Sequence, residues 1–381
     1  MRILIISDQP THPTTAGNRR FILSQAELWT SMGHDVYFLF VNSIYVSATE
    51  IDLMNQYWGD NFILYETSLL YKIKAKFEPK ARRLFRRFYY KCDSIYPFGL
   101  SRFLKKLQNE KSFDACITNY YYMTRVFKDV YFPLMAVNSH DYFAYKDLLT
   151  GTCDAWMLTT ADEEAKAYQR CPHIFALNTE EAIYFRKISP LSKVYNIFSS
   201  YEYKPSDIVG NKNILFLSGP NEYNYNGLKW FVDEIFPELV KVIPDINLVI
   251  GGGICKILEE YKNKANITLY GYVENASEFY SMGDVVINPT YQGTGLKIKT
   301  FESVAYDKVT LAHPHSKIGI YSPDTAPIFS SCISDDWVKY LSHIWENNRN
   351  IEEIKSRNKE YMENMRKYII SEYNRFFSFF D

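Results

Sequence analysis

The second half of the chain alternates short apolar runs with helix-length segments, and this alternation constrains the fold more than any other feature. The runs are NILFL, NLVI, NITLY, DVVIN and KVTLA, and the segments between them contain WFVDEIFPELVKVI, ICKILEEYKN and ASEFYSMG. Apolar strands that alternate with helices are typical of parallel sheets with both faces covered. Five such strands in about 100 residues predict a compact doubly wound sheet.

The first half opens with the same kind of unit. RILIIS is an apolar run, residues 21–32 carry apolar side chains at helical spacing, and HDVYFLFV follows Gly33. The runs ACIT, LMAV and IFAL continue the α/β pattern, and the polar segment SSYEYKPSDIVGNKN is interpreted as a linker. We predict an N-terminal domain at 1–204, a C-terminal domain at 205–350 and a helical tail at 351–381 that packs back on the N-terminal domain.

Length and charge limit the class of protein. A chain of 381 residues favours two domains, and 43 basic against 44 acidic side chains argue against a protein that binds nucleic acid over its whole surface. Six widely spaced cysteines without a C-x-x-C pair favour neither a zinc site nor a disulfide scaffold. The apolar run at the start is too short for a signal peptide, so we expect none, and no segment reaches the length of a membrane span. We therefore expect a soluble, cytoplasmic protein.

One segment combines glycines with the start of a helix. NPTYQGTGLKIKTFESVAYDKV, residues 288–309, lies between an apolar run and an apolar helix. Gly293 and Gly295 allow a sharp turn and a close approach of the backbone to a ligand. The first free amides of the helix, near Gly295, Leu296 and Lys297, form an anion site at the positive helix end. The segment therefore indicates a site for phosphate groups.

Charged side chains of the same segment extend this interpretation. Lys297 and Lys299 add positive charge. Glu302, one helical turn after Lys299, is placed to accept hydrogen bonds from a sugar diol. Together they predict a nucleotide diphosphate site. The alternative is that Lys299 and Glu302 form an exposed helical pair and that the glycines only make a tight turn.

The stretch TYQGTGLKIKTFESVAYDKVTLA resembles the nucleotide-sugar loop of family-4 glycosyltransferases of the GT-B fold, in the subgroup reading G-G-T-R-L-K-x-L-E-A-x-A-x-G-x-P-V-V. The resemblance implies two Rossmann-like, doubly wound parallel-sheet domains facing a cleft. It places Glu302 on the glutamate that binds the nucleotide ribose. The donor-binding residues that it implies in this loop are Thr294, Gly295, Leu296, Lys297, Lys299 and Glu302.

Two further blocks of the second half support the resemblance. FLSGPNEYNYNGLKWFVDEIFPEL is similar to the opening of the family's C-terminal domain, where Gly219 and Asn226 match donor-binding positions. NITLYGYVENASEFYSMGDVVINPT is similar to the family's N-I-x-x-x-G-x-V block, which places Tyr272 and Val273 beside the base. The order and spacing of these blocks cover most of the second half.

The first half resembles the family more loosely. PTHPTTAGNRRFILSQAELWTSMGHDVYFLF matches the family's glycine loop with Ala16 at the first glycine, so the resemblance places Gly17 near the donor phosphate and the acceptor. VNSHDYFAY resembles the family's H-D after a central strand and places His140 beside the transferred sugar. A histidine considered alone is more often structural. The catalytic residues implied by the resemblance are His140, Lys299 and Glu302.

The chain departs from the family pattern at two places. Thr294 stands where many members carry the first glutamate of an E-x7-E pair. GPNEYNYNG lacks the Arg and Lys that many members place after the first strand of the C-terminal domain. The subgroup named above shares both departures. Lys297 and Lys299 are interpreted as replacing the lost positive charge.

A basic stretch runs from residue 71 to residue 106. It carries 12 lysines and arginines against Glu78 and Asp93, and Leu84, Phe85, Phe88 and Tyr89 suggest an apolar stripe at helical spacing. Such a surface suits docking on an anionic membrane. The alternatives are a solvated helix face and a rim of an acceptor site. The resemblance favours the membrane, because many acceptors of the family are lipid-linked.

The predicted activity is retaining transfer of a sugar from a nucleotide diphosphate sugar to a hydroxyl of a glycan or lipid-linked acceptor, in bacterial surface polysaccharide synthesis. We expect no metal or other cofactor and no nucleic-acid partner, and a cytoplasmic protein, peripheral at the inner face of the membrane. IGGGI lacks G-x-G-x-x-G, and neither H-E-x-x-H nor G-x-S-x-G occurs. The alternatives are a GT-B nucleotide-sugar epimerase and a non-catalytic glycan-binding or scaffold protein of transferase descent.

Overall fold

The chain forms two compact units in a computed structural model. Unit 1 comprises Met1–Ser200 with Ile369–Asp381, and unit 2 comprises Tyr201–Tyr368. The predicted domains ended instead at 204 and 350, and residues 351–368 of the predicted tail group with unit 2. The structure describes residues 1–14, 16–43, 46–150, 158–199, 201–205, 212–293, 298–346 and 348–380.

The sheet of unit 1 is parallel throughout the part of the chain that the structure describes. Its strand order is β3-β2-β1-β4-β5-β6-β7. The chain starts near the middle of the sheet, adds β2 and β3 on one side of β1, and then adds β4 to β7 on the other side, so the strand order reverses between β1 and β4. Every predicted strand of this half is present, and the buried runs make a continuous apolar core. The strands are β1 Arg2–Ser7, β2 Asp35–Asn42, β3 Phe62–Glu66, β4 Ala115–Asn119, β5 Leu134–Asn138, β6 His173–Ala176 and β7 Lys193–Asn196.

Helices connect these strands. Several begin at a polar N-cap, as at Ser47, whose side chain and the Glu50 side chain form a capping box. The helices of this part of the chain are α1 Gly17–Ser31, α2 Ala48–Trp58, α3 Leu69–Leu84, α4 Leu100–Lys111, α5 Val126–Asp129, α6 Lys146–Thr150, α7 Ala161–Tyr168 and α8 Thr179–Ile188.

The basic stretch differs from its prediction in one respect. Helix α3 ends at Leu84, and Arg86 has a left-handed φ of 51°. The predicted stripe of Leu84, Phe85, Phe88 and Tyr89 is therefore wrong as a helical feature, because the helical repeat stops at its first member. The exposed apolar residues that do share helical spacing lie within α3 and end at Leu84.

The sheet of unit 2 has the order β10-β9-β8-β11-β12-β13, again with a reversal beside its first strand. All pairings described for it are parallel. The five predicted strands are confirmed, and the short β13 was not predicted. The strands are β8 Asn213–Leu217, β9 Asn247–Gly251, β10 Ile267–Gly271, β11 Val285–Asn288, β12 Val309–Ala312 and β13 Ile328–Ser330.

The helices of unit 2 also match the pattern, except at ICKILEEYKN. That segment forms two short 3-10 turns, Gly253–Ile257 and Glu259–Tyr261, rather than a helix. No helix in the described ranges is both long and apolar enough to span a bilayer. The helices are α9 Glu222–Trp230, α10 Phe236–Val242, α11 Ala276–Tyr280, α12 Ile298–Ala305, α13 Ser334–Ile344 and α14 Asn348–Phe377, with a π-helical turn at Phe231–Ile235.

Strand order directs attention to one edge of each sheet. In doubly wound sheets a crevice forms at the carboxyl ends of the strands, where the strand order reverses. In unit 2 this point lies between β8 and β11, which are adjacent in the sheet. Ser218 and Gly219 follow β8, and the segment that leads to α12 follows β11. The fold thus brings two of the predicted donor-binding segments to the same edge.

Candidate active site

Lys299 on α12 is held at the carboxyl end of β8. Its Nζ donates a hydrogen bond to Ser218 Oγ at 2.9 Å and another to Asn224 Oδ1 at 2.5 Å. The amine also lies 5.2 Å from the centre of the Phe216 ring, within range of a cation–π interaction. Two hydrogen bonds and a ring face fix this positive charge at the point where the strand order reverses.

Glu302 follows one turn later on α12 and is buried. Only 5% of its surface is exposed, and the Tyr280 hydroxyl donates to its Oε2 at 3.2 Å. Tyr280 in turn stacks on Tyr306, with ring centres 4.5 Å apart. Lys299 is half-buried as well. The alternative of an exposed helical pair is therefore wrong for this helix.

A buried polar network attaches α12 to the neighbouring strands. Asn288 Nδ2 donates to Thr300 Oγ1 at 2.8 Å, and Thr300 Oγ1 donates to the Ser316 carbonyl at 3.0 Å. Ser316 Oγ donates to the Thr290 carbonyl at 2.6 Å. Within the described part of the chain, Asn288 Oδ1 and Thr290 Oγ1 are buried without a hydrogen-bond partner. The network fixes the helix that carries Lys299 and Glu302.

The predicted donor contacts at Thr294, Gly295, Leu296 and Lys297 lie outside the described residues. Gly293, just before them, has a left-handed φ of 96°, which favours glycine. Its carbonyl lies 2.8 Å from His315 Nε2, so this nitrogen carries the proton. His315 was not predicted, since no motif pointed to it.

Gly219 and Asn226 occupy different surroundings. The Gly219 carbonyl accepts a hydrogen bond from Asn224 Nδ2 at 3.1 Å, which links it to the partner of Lys299. Asn226 lines a cavity of about 430 Å³ together with Trp230 and His313. Residues two apart on a helix face nearly opposite directions. The structure therefore places Asn224, which was not predicted, beside Lys299, while Asn226 lines the separate cavity.

Tyr272 and Val273 follow β10 at the same edge of the sheet. Tyr272 is 70% exposed, so its ring is available to stack on a planar ligand. Val273 packs on a small core cluster that includes Val249 and Phe279. Val273 therefore contributes to packing in unit 2, and Tyr272 is the more accessible of the two.

His140 and Gly17 belong to unit 1. Gly17 is the first residue of α1, after Ala16, which makes no side-chain cap hydrogen bond. His140 follows β5 with a left-handed φ of 62°, and its ring stacks on Tyr120 with centres 4.3 Å apart. Its Nε2 lies 2.7 Å from Asn119 Oδ1. Burial lowers the pKa of His140 to about 3, so the imidazole is neutral at physiological pH.

Buried carboxyl groups hold the segment around His140. Ser139 Oγ donates to Glu181 Oε2 at 2.6 Å. The Phe143 and Ala144 amides donate to Glu164 at 2.9 and 3.2 Å. Burial raises the pKa of Glu181 to about 8 and that of Glu164 to about 7. The backbone on both sides of His140 is thus fixed by groups whose charge is costly to bury.

Metal ligands do not cluster in the described ranges: no group of three or more His, Cys, Asp or Glu side chains there could hold an ion. Lys299 is a described residue that brings positive charge to this edge of unit 2.

Comparison with known proteins relates the part of the chain that carries this geometry to a family. Residues 211–325 match the family model described as "Glycosyl transferases group 1". A Klebsiella pneumoniae protein, described as "Uncharacterized 44.6 kDa protein in cps region", is 23% identical over 380 residues and covers 93% of this chain and 92% of its own length. The match to the family model includes β8, β11 and α12, which carry the candidate site.

Solved structures agree on the fold. Anabaena Alr3699/HepE in complex with UDP superposes with a TM-score of 0.66 at 10% identity, covering 99% of this chain and all of that one. The pneumococcal O-GlcNAc transferase GtfA in complex with UDP and GlcNAc superposes with a TM-score of 0.66 at 12% identity, covering 100% of this chain and 99% of that one. Both sheets have the Rossmann-like strand order expected for GT-B. The chain therefore has a fold of the GT-B type, and the family match of residues 211–325 supports a glycosyltransferase of that type.

Proposed function

We propose that the protein is a retaining transferase of the family-4 type that moves a sugar from a nucleotide diphosphate to a hydroxyl of a glycan or lipid-linked acceptor. The observation that carries this proposal is the Lys299 amine, held by Ser218 and Asn224 at the reversal of strand order in unit 2. A fixed cation there favours a diphosphate, and it favours the departing diphosphate more strongly as charge develops on it.

The remaining donor contacts that we propose lie at the same edge of the sheet of unit 2. The amides at 295–297 and the Lys297 side chain bind phosphate oxygens, as the glycine-containing sequence predicts. Glu302 accepts hydrogen bonds from the ribose hydroxyls, and Tyr280 orients its carboxylate. Tyr272 stacks on the base. We infer that transfer is independent of metal ions, with the lysines supplying the positive charge that a divalent cation supplies in other transferases.

His140 binds the transferred sugar. Asn119 Nδ2 donates to the Ile6 carbonyl, so Asn119 Oδ1 is an acceptor and His140 Nε2 carries the proton. A neutral ring protonated at Nε2 leaves Nδ1 as an acceptor for a sugar hydroxyl. Burial keeps the ring neutral, so this role does not depend on pH in the physiological range.

Helix α3 supplies a surface for an anionic membrane. Four of its exposed apolar residues recur at successive spacings of three, four and seven residues, and Lys76, Lys80 and Arg83 are exposed beside them. Tyr71 and Glu78 face the opposite, enclosed side. We infer that the protein is cytoplasmic and docks peripherally at the inner face of the membrane, where lipid-linked acceptors are found. The apolar residues of this stripe are Leu69, Leu70, Ile73, Phe77 and Leu84, each at least 46% exposed.

The comparisons support the coarse parts of this proposal. Two structural neighbours bind UDP, which is consistent with a nucleotide diphosphate donor. The Klebsiella relative belongs to a cps region, which supports a role in surface polysaccharide synthesis. No nucleic-acid partner is proposed, because the net charge of the chain is -1.

Thermal shift with a panel of UDP, GDP, dTDP, ADP and CMP tests the donor site. A ligand at 100 times its Kd stabilises the folded state by about 2.7 kcal/mol, a shift of several degrees in Tm. We expect one diphosphate to raise the Tm of the wild type and Glu302→Gln to abolish the rise. Glu259→Gln, an exposed glutamate of the same unit, is the matched control.

The alternative functions give different results. An epimerase converts the donor sugar without an acceptor and releases no nucleotide. A non-catalytic scaffold shows no turnover and weak or absent nucleotide binding. If no nucleotide of the panel shifts the Tm of the wild type at millimolar concentration, the donor-site proposal is wrong and the scaffold becomes the better explanation.

A further inference from the structure

The turn that follows β12 contacts the donor segment from both sides. It is a short 3-10 turn at Pro314–Lys317. Two of its side chains reach the carbonyls of Thr290 and Gly293, which follow β11, and one of its carbonyls accepts a hydrogen bond from Thr300 on α12. The turn therefore connects the part of the chain that leaves β11 with the helix that carries Lys299.

The backbone of this turn is itself fixed. The His313 amide donates to the Asn288 carbonyl at 3.0 Å, which ties the start of the turn to the end of β11. His313 Nδ1 accepts a hydrogen bond from the His315 amide at 3.1 Å, and the His313 carbonyl accepts one from the Ser316 amide at 2.8 Å. A side chain on a backbone held in this way can place its partner with little freedom.

His315 uses this support to hold Gly293. Its Nε2 donates to the Gly293 carbonyl at 2.8 Å, and the ring is half-buried. Because a peptide unit is planar, fixing this carbonyl also fixes the plane in which the chain leaves Gly293. Gly293 adopts its left-handed φ at little steric cost, but glycine loses more conformational freedom on ordering than any other residue. A contact that holds this glycine therefore has a large effect on how ordered the segment is.

Ser316 holds the two flanks of the same segment. Its Oγ donates to the Thr290 carbonyl at 2.6 Å, and its carbonyl accepts from Thr300 Oγ1 at 3.0 Å. Ser316 and Thr300 are fully buried, so these hydrogen bonds are costly to leave unmade. One turn thus fixes the segment at three points, and the central one depends on the imidazole of His315.

We propose that His315 is a positioning residue for the diphosphate of the donor, acting through the backbone at Gly293. The inference rests on the proposed transferase function and adds to it a residue outside the donor segment. Backbone amides bind an anion best when they are already aimed at it, because ordering a loop on binding reduces the affinity. The His315 hydrogen bond provides this order before the donor arrives.

This role separates the diphosphate from the rest of the nucleotide. We have assigned the base to Tyr272 and the ribose to Glu302, and neither residue contacts His315 in the described part of the chain. Removing the His315 hydrogen bond should therefore weaken binding of a nucleoside diphosphate and leave binding of the nucleoside unchanged. A general loss of structure in unit 2 would weaken both ligands.

Affinity measurements on matched variants test the proposal. The ligands are the nucleoside diphosphate that the thermal-shift panel identifies, measured by calorimetry, and the nucleoside of the same base, measured by ligand-observed NMR. We expect His315→Leu to weaken the diphosphate by about three- to tenfold, as for the loss of one hydrogen bond, without changing the Kd of the nucleoside. His343→Leu, at an exposed histidine of α13 in the same unit, is the control.

Two further variants distinguish the hydrogen bond from the shape of the ring. His315→Gln places an N–H at the same number of bonds from Cα as Nε2, so it should restore most of the diphosphate affinity. Ser316→Ala removes the hydrogen bond to the Thr290 carbonyl and should cause the same selective loss. If His315→Leu does not fold, the comparison of Ser316→Ala with the wild type takes its place.

The outcomes separate this inference from the donor site itself. Equal diphosphate affinities for wild type and His315→Leu would overturn the positioning role, as would parallel losses for diphosphate and nucleoside or a Gln variant that behaves like the Leu variant. In each of these cases the wild type still binds the diphosphate, and the donor site stands. A wild type that binds no nucleotide of the panel contradicts both proposals.

Discussion

Asn119 Oδ1 lies 2.7 Å from Nε2 of His140. The same oxygen accepts a hydrogen bond from Asn138 Nδ2 at 3.0 Å, and Asn119 Nδ2 donates to the Ile6 carbonyl. The amide orientation is thus set by groups other than His140, and the tautomer of the imidazole follows from it. The histidine implied by the resemblance is thus held in one tautomer by Asn119, the last residue of β4.

The first prediction concerns the charge of His140. Its pKa of about 3, lowered by burial, means that the folded state stays neutral where an unfolded chain becomes protonated near pH 6.5. Protonation therefore favours the unfolded state, and stability is lost as pH falls from about 6.5 toward 3. We expect the ¹⁵N-imidazole NMR signals of His140 to show no titration between pH 5 and 8.

Two variants sharpen this measurement. His140→Gln assigns the signals by their disappearance. Asn119→Asp places a carboxylate against Nε2 and should raise the His140 pKa, because a negative charge favours the imidazolium. Titration of the wild-type ring near pH 6.5 would contradict the enclosed, neutral histidine.

Much of the fold was predictable because it depends on buried apolar strands. Runs such as ACIT and NILFL have few polar atoms to satisfy and pair centrally in each sheet. The helix predicted at ICKILEEYKN is wrong. It was predicted because the apolar residues of this segment lie near helical spacing. Gly252, two residues before it, has a left-handed φ of 93°, and a Cβ there would collide with the Ser218 carbonyl oxygen. This close approach of two backbone segments is a tertiary contact, which sequence periodicity does not reveal.

The candidate site was predictable only where a motif spans contiguous residues. Lys299 and Glu302 belong to one helix and one recognisable loop. Ser218 and Asn224 were missed because each acts through a contact with Lys299 across the sheet edge.

A second prediction tests the charge on Lys299. Lys299→Met keeps the apolar stem and removes the amine that we place against the diphosphate. Loss of one such contact should cost about 2 to 4 kcal/mol in transition-state stabilisation, or roughly 30- to 1000-fold in kcat/KM. Steady-state release of nucleotide from the donor identified by the thermal-shift panel measures this. Lys241→Met, on the exposed face of α10, should behave as wild type, and equal rates for the two variants would rule out the role of Lys299.

A third prediction concerns stability against pH through Glu181. Burial raises its folded pKa to about 8, above its ordinary value of 4.5. The folded state therefore holds a proton that the unfolded state releases, and stability falls as pH rises from about 4.5 to 8, by at most about 1.4 kcal/mol per pH unit. Glu181→Gln should lessen this slope in urea unfolding. Glu180→Gln, exposed on the same helix, should leave it unchanged, and parallel curves for wild type and Glu181→Gln would refute the assignment.

A fourth prediction tests the membrane surface of α3. Ile73→Glu and Phe77→Glu each place a charge in the apolar stripe, which should weaken binding to phosphatidylglycerol vesicles by about tenfold or more. Binding of the wild type should also fall with salt, because exposed basic residues contribute to it. Sedimentation with vesicles measures both effects. Leu191→Glu changes a residue of unit 1 that is 96% exposed but lies outside the stripe, and an equal loss with this variant would argue against a defined docking face.

The last prediction compares two glycines of the candidate donor site. A Cβ at Gly227 would lie 2.8 Å from the Pro289 carbonyl oxygen and 2.8 Å from Thr290 Cα, whereas a Cβ at Gly219 would meet no atom within 4 Å. Gly227→Ala must therefore push α9 away from the segment after β11, at a cost typical of overpacking, about 1 to 3 kcal/mol. Because α9 carries Asn224, the shift also disturbs the hydrogen bond to Lys299.

Gly219→Ala should leave Tm unchanged and weaken only nucleotide binding, if the diphosphate approaches that backbone closely. Differential scanning fluorimetry with and without the diphosphate separates the effects, and equal Tm values for the two variants would show that α9 does not pack against this segment as described.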